Sequence, residues 1–341
     1  MSVTLYDENG ESQVIDHVLL DTGSSGFKVL KSQLNSSLTF SSILQGNNPE
    51  SPISSCVTYG SGYMFGSNNL AGLQIGGQRA DNVPIQIIND GSQSSVPDNC
   101  SSNGRFANLL QTSGARGILG VNPMTFESNS TLQNLIYVQT SSGFVNIVES
   151  SVQTLNVNPL SLLMQNNNGL IISYPKVSKN STISIYGTMV MGLNTTSNNV
   201  IPSTIQSVRG NPNTNLGYFD VNENGWPVSG IFDSGTDTLA LGGYNIPVCN
   251  DSSFCPSSPV TFSTIVSNYD GGESSYIMQT VSSVQGLGGY AVLPYWGTRL
   301  LPSSGLAVYG LPFFYGRNVY LGFYDSGTST TPTWGYAANT N

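Results

Sequence analysis

The stretch Val18-Leu19-Leu20-Asp21-Thr22-Gly23-Ser24 recurs in kind as Gly230-Ile231-Phe232-Asp233-Ser234-Gly235-Thr236. Each copy is an apolar, strand-like run ending in Asp, a hydroxyl residue, Gly and a second hydroxyl residue. Each is followed further along the chain by two apolar residues and a glycine, Ile118-Leu119-Gly120 and Val308-Tyr309-Gly310. A unit present twice, with one acid per copy, predicts two similar lobes that each contribute a carboxylate. We place them at residues 1–165, holding Asp21, and 166–341, holding Asp233.

Around these copies the chain reads as strands joined by hairpins. Short apolar alternations recur at Val14 to Leu20, Leu73 to Ile75, Val83 to Ile88, Leu170 to Ser173, Thr182 to Met191 and Val319 to Phe323. Turn pairs such as Gly76-Gly77, Asn224-Gly225 and Asp270-Gly271 stand between them. Helical patterns are few and short, with Asn158 to Gln165 and Pro312 to Arg317 the candidates. The expected class is all-β.

Composition narrows the function. Charged residues make up only 9% of the 341 residues, and the formal net charge is −9. Nothing in so acidic a chain would neutralise phosphates, so nucleic acid is not an expected partner. Scarce cations suit a protein that works in acid, because few groups gain charge as pH falls. The four cysteines contain no Cys-x-x-Cys and the chain has one histidine, so neither a metal site nor a cofactor is expected. An even count fits two disulfides and an oxidising compartment. Cys249 and Cys255 bracket a short loop that closes easily, which leaves Cys56 for Cys100. No apolar run is long enough for a membrane span. The chain opens at Met1-Ser2-Val3 directly into a strand-like segment, so a secretion leader is expected to have been removed. A secreted or periplasmic, monomeric protein is the expectation.

Two carboxylates held about 3 Å apart cannot both ionise, so the pair keeps one proton. The ionised member can then activate a water while the protonated member hydrogen-bonds a scissile carbonyl. Gly23 and Gly235 are expected to permit a tight turn after each Asp. Thr22, Ser24, Ser234 and Thr236 supply hydroxyls that can bond the carboxylates and the facing loop. A third match, Asp325-Ser326-Gly327-Thr328, lacks a following apolar strand and a glycine arm, and reads as a turn leaving the last strand. Serine or cysteine catalysis needs a base. The single His17 reads instead as a polar residue on a strand face. A glycosidase would also use two carboxylates, but the hydroxyl-flanked motifs and duplicated glycine arms argue against it.

Taken together, Asp21-Thr22-Gly23-Ser24-Ser25, Tyr59-Gly60-Ser61-Gly62, Gly117-Ile118-Leu119-Gly120 and Asp233-Ser234-Gly235-Thr236 resemble the pepsin-like aspartic proteases, in matching order. The segment Gly310-Leu311-Pro312-Phe313-Phe314-Tyr315-Gly316-Arg317 is similar to one carried by a bacterial group of unassigned function. The resemblance implies a bilobal acid-protease fold with its cleft between the lobes, and endopeptidase activity on peptide or protein substrates at acid pH. It implies Asp21 and Asp233 as the catalytic pair and Tyr59 to Gly66 as the tip of a flap over bound peptide. Pepsin-like proteases usually carry a Trp where this chain has Lys28, whose ammonium either replaces the Trp hydrogen bond to the flap tyrosine or lies at the surface. Asp237 falls on the segment expected to line the cleft, where it would favour Lys or Arg near the scissile bond. The rival expectation is a pepsin-like scaffold that binds peptides without cleaving them.

Overall fold

The computed structural model describes residues 1–47, 51–91, 96–126, 135–147, 155–324 and 331–339. Strands dominate these residues, and the α-helices are single turns at Asp98–Ser101, Leu109–Thr112 and Leu311–Phe314. The protein is mainly β, as the hairpin pattern predicts. No helix among the described residues is long and apolar enough to cross a membrane. The chain forms two compact units. The first comprises Met1–Leu20, Ser24–Val121 and Thr125–Gln165; the second comprises Asp21–Gly23, Asn122–Met124 and Asn166–Asn341.

The first unit is built on an 11-stranded sheet. Its path ends in the strands Gln78–Ile88, Ser25–Leu30, Gly117–Val121 and Val18–Asp21, in that order. Ser25–Leu30 is buried along its whole length, parallel to Gln78–Ile88 and antiparallel to Gly117–Val121. A strand covered on both faces carries a continuous buried run instead of an alternation. Leu30, Met64, Ile88, Leu109 and Ile118 form a core cluster beside it.

The second unit holds a five-stranded and a seven-stranded sheet. Within the larger one, Trp226–Phe232 leads into the second Asp motif and pairs in parallel with Leu306–Tyr309. Leu306–Tyr309 pairs antiparallel with Leu239–Leu241, which runs parallel to Gly297–Arg299. The strand order around the second motif thus repeats the order around the first. The apolar-apolar-Gly arms have a steric cause in both. A Cβ on Gly120 would lie 2.7 Å from the Ser24 carbonyl oxygen, and one on Gly310 would lie 2.5 Å from that of Thr236. Only glycine lets these strands pass so close to the residues leaving each motif.

Aromatic rings fill the core under the second motif. Phe232 stacks on Phe313 at 4.2 Å and 18°. It also meets Tyr309, Trp334 and Tyr336 edge-on. This explains much of the segment Gly310 to Arg317: Phe313 is fully buried in that cluster, and the Arg317 guanidinium lies 4.6 Å over its ring.

Two disulfides join Cys56 to Cys100 and Cys249 to Cys255, with Cα separations of 5.8 and 5.6 Å. Both pairings are those expected, and they suit an oxidising compartment.

Four local expectations change. The run Val14 to Leu20 is split at Asp16-His17, where exposed His17 adopts a left-handed φ of 53° beside Asp16. His17 is therefore a turn residue and not a strand-face one. Thr182 to Met191 is a strand only at Thr188–Met191. Asn158 to Gln165 holds one 3-10 turn, Pro159–Leu162, entered through the Asn158 side chain, which accepts from Leu160 N–H. Asp325 and its expected turn lie outside the described residues. The strand before it is not the last, however, because Thr333–Ala338 follows and pairs with Arg317–Gly322. Buried Trp334 anchors that final strand, its indole N–H donating to Gly217 O at 2.7 Å.

Candidate active site

Both acids sit where a strand runs out into a loop, and both loops belong to the second unit. Asp21 closes Val18–Asp21, and Asp233 follows Trp226–Phe232. Each carboxylate is held locally in the same way. Gly23 N–H donates to Asp21 Oδ1 at 2.8 Å, and Gly235 N–H donates to Asp233 Oδ1 at 2.8 Å. The Thr236 hydroxyl adds a bond to Asp233 Oδ2 at 2.6 Å.

A reciprocal frame ties the two loops together across 212 residues of sequence. The Thr22 hydroxyl donates to Phe232 O at 2.6 Å and accepts from Ser234 N–H at 2.9 Å. In return, Ser234 Oγ accepts from Thr22 N–H at 3.2 Å. Thr22 is fully buried, so these bonds are shielded from water and a missing partner would be costly there. Asn122 extends the frame: its Nδ2 donates to Thr22 O and Leu216 O, and its Oδ1 accepts from Met124 N–H. Sequence reasoning passed over Asn122, although its place two residues after Gly120, in an apolar strand's exit, was a usable signal.

The glycines have a different role from the one expected. Neither Gly23 nor Gly235 is at a positive φ, so the turn itself does not require them. The requirement is room. A Cβ on Gly23 would lie 2.6 Å from Asp233 Cγ, and a Cβ on Gly235 would lie 2.5 Å from Asp21 Oδ1. Each glycine makes space for the opposite carboxyl, which places the two acids face to face.

The electrostatics follow from that closeness. Asp233 has a pKa well above the ordinary carboxylate range, first because burial penalises its charge and second because Asp21 repels it. The bonds from Thr236 and Gly235 pull the other way and are outweighed. The pair therefore holds a proton at pH values where isolated carboxylic acids have lost theirs.

The remaining site residues are described in their own units. In the first, Ile53–Tyr59 and Gly62–Ile75 form a hairpin turning at Gly60-Ser61, with Tyr59 opposite Gly62. Gly62 has a φ of 136° and rests against the Arg105 carbonyl, which leaves no room for a side chain. Tyr63 N–H donates to that same carbonyl at 2.9 Å, so the base of the turn is pinned while Gly60 stands in open space. Arg105 was not legible as a partner of this turn. Ser24 is buried in the first unit. Lys28 is 1% exposed and donates to Ser25 O, which excludes the surface alternative. Asp237, in the second unit, is exposed, and partial burial still raises its pKa.

None of the curated proteins matches the chain. A family model does: that of DUF3443, described as a protein of unknown function, aligns with residues 1–338. An alignment running through both acid motifs, the hairpin at Tyr59 and the Gly310 segment covers every element assembled above, and the chain belongs to the DUF3443 family.

Proposed function

We propose that this protein is an aspartic endopeptidase with the two-lobed fold of the pepsin-like proteases, secreted or periplasmic, and active in acid. The observation that carries the reading is the facing pair. Two carboxyls sit on duplicated loops, each glycine leaves space for the opposite acid, and a buried reciprocal hydrogen-bond frame fixes them. The repeated strand order around the two motifs supports the two-lobed reading.

The chemistry follows from the one proton that the pair shares. The protonated member donates to the scissile carbonyl oxygen, and the ionised member takes a proton from the attacking water. The resulting tetrahedral carbon collapses when that second proton passes to the amide nitrogen, which leaves. The reaction needs both protonation states at once, so the rate falls when the pair loses its shared proton. The hairpin tip at Tyr59 to Gly62 is suited to act as a lid, because its base is pinned while Gly60 is unencumbered.

Cleavage of a denatured protein at acid pH, blocked by pepstatin, is the expected result. A purified, folded protein that binds pepstatin or peptides but cleaves nothing between pH 2 and 7 would assign it instead to the binding scaffolds.

A further inference from the structure

Glu223 is a buried acid that the chemistry of the facing pair does not use. It ends the strand Phe219–Glu223 and is 1% exposed. One carboxylate oxygen is provided for: Oε2 accepts from Gly242 N–H at 2.9 Å and from Gly243 N–H at 2.7 Å. The other is not. Among the described residues Oε1 is shielded from solvent without a hydrogen-bond partner, and no ion pair involves Glu223. Leaving a carboxylate oxygen in that condition is costly, so it calls for a donor from outside the fold.

Glu223 lines a cavity of about 30 Å³ together with Trp226, Val228, Gly243, Leu301 and Leu306. That space admits a group the size of a water or an ammonium. Its lining passes from a buried acid to an apolar rim, where Trp226 and Leu301 are 59% and 75% exposed. Trp226 stands directly across the hairpin from Glu223. Opposed residues of an antiparallel pair carry their side chains on one face, with Cβ atoms about 5 Å apart. Gly243 completes the fit, because a Cβ there would lie 2.5 Å from Glu223 O and 2.6 Å from Glu223 Cβ. A larger residue would push the two N–H donors away from Oε2.

We propose that this cavity binds a primary ammonium on an apolar stem, either a lysine side chain or a free alkylamine. Glu223 Oε1 accepts from the ammonium, and the Trp226 ring lies along the stem. The ammonium supplies donors and an opposite charge together, and an indole face attracts a cation. One carboxylate is too small a ligand set for a divalent ion, and no cluster of metal-binding side chains occurs among the described residues. Burial raises the Glu223 pKa against the pull of the two N–H bonds. The ionisable groups around it are the Tyr244 and Tyr309 hydroxyls, which burial keeps protonated. An arriving cation lowers the Glu223 pKa again, so binding favours the ionised carboxylate. The strand Trp226–Phe232 sets this site about 20 Å from Asp233, at about 3.3 Å per residue. It stands whether or not the protein cleaves peptides.

The test is isothermal titration calorimetry of the purified protein at about pH 8, where an alkylamine with a pKa of about 10.4 is still charged. The probes are n-butylammonium chloride and Nα-acetyl-lysine amide, with 1-butanol and Nα-acetyl-norleucine amide as their neutral counterparts. We expect saturable binding of the cations, at least about tenfold tighter than their counterparts. Glu223→Gln keeps the shape without the charge and should weaken binding by about tenfold or more. Trp226→Ala, a change at the surface, should weaken it by about threefold. Binding of butylammonium alone assigns the site to free amines, and binding of acetyl-lysine amide alone assigns it to lysyl residues. Equal affinity for the neutral counterparts, unchanged affinity in Glu223→Gln, displacement by equimolar sodium chloride, or no saturable binding overturns the proposal. If Glu223→Gln does not fold, the comparison of amine with alcohol on the wild type still decides it.

Discussion

Replacing Gly23 by Ala tests the steric basis of the facing carboxyls. The backbone at Gly23 is one that alanine adopts without strain, since its φ is not positive. The new Cβ would stand 2.6 Å from Asp233 Cγ, where ordinary contact begins near 3.4 Å. The Asp233 carboxyl must therefore retreat by about 0.8 Å or turn away from Asp21. A misplacement of about 1 Å in a reacting group costs on the order of 100-fold in rate, or about 2.7 kcal/mol of barrier. Overpacking adds a stability cost of about 1–3 kcal/mol. The assay is acid cleavage of a denatured protein, run beside thermal unfolding, with Gly91→Ala as the control because a Cβ there meets nothing. A double-mutant cycle isolates the cause: in an Asp233→Ala background Gly23→Ala should cost almost nothing in stability, because the carboxyl it collides with is gone. Full activity in Gly23→Ala, or an undiminished stability cost in that background, would refute the steric account.

Four further outcomes are expected. Asp21→Asn and Asp233→Asn should each abolish cleavage with unfolding temperatures near wild type, while Asp325→Asn retains activity. Thr22→Val should leave Ser234 N–H and Phe232 O without their partner, lowering stability by about 2–4 kcal/mol in denaturant titrations and slowing cleavage. Asp233 binds its proton more tightly folded than unfolded. Its contribution to stability is therefore fully present below the ordinary value of 3.8 and is lost as pH rises through the raised value. Unfolding temperatures should fall from acid toward neutral pH, and Asp233→Asn should flatten that slope; an unchanged slope would contradict the assignment. Opening the Cys56–Cys100 link, which spans 44 residues, should cost about 4 kcal/mol, against about 2 for the six-residue separation of Cys249 and Cys255. Melts of Cys→Ser pairs measure both.

The acids and the β class were legible because each rests on a local signal: an apolar run stopped by Asp, and turn pairs between alternations. What the glycines do was not legible. Their positions in sequence suggested a backbone need, whereas the cause is a carboxyl from the other loop, a contact that no local pattern encodes. His17 failed for the opposite reason, because an apparently continuous strand hid a two-residue turn in which a side chain must accept a positive φ. The final strand was overlooked because Pro332 and its hydroxyl-rich approach masked Trp334 and Tyr336, whose rings need the second motif's core to pack against. Arg105 and Asn122 act largely through backbone or amide groups at long range, and a residue's type says little about such bonds.

The frame between Thr22 and Ser234 also sets the order of events as the chain is made. Its two loops are separated by 212 residues, so closing them comes at a large entropic cost that only the surrounding core can offset. The first 165 residues contain Asp21, whereas Asp233 and the Phe232 and Ser234 groups that bond Thr22 all come from the second half. Until residue 236 has left the ribosome, the growing polypeptide carries one acid without its counterpart. Under the proposed reading, activity therefore waits for the second half, and a chain stopped short of it is expected to be inert.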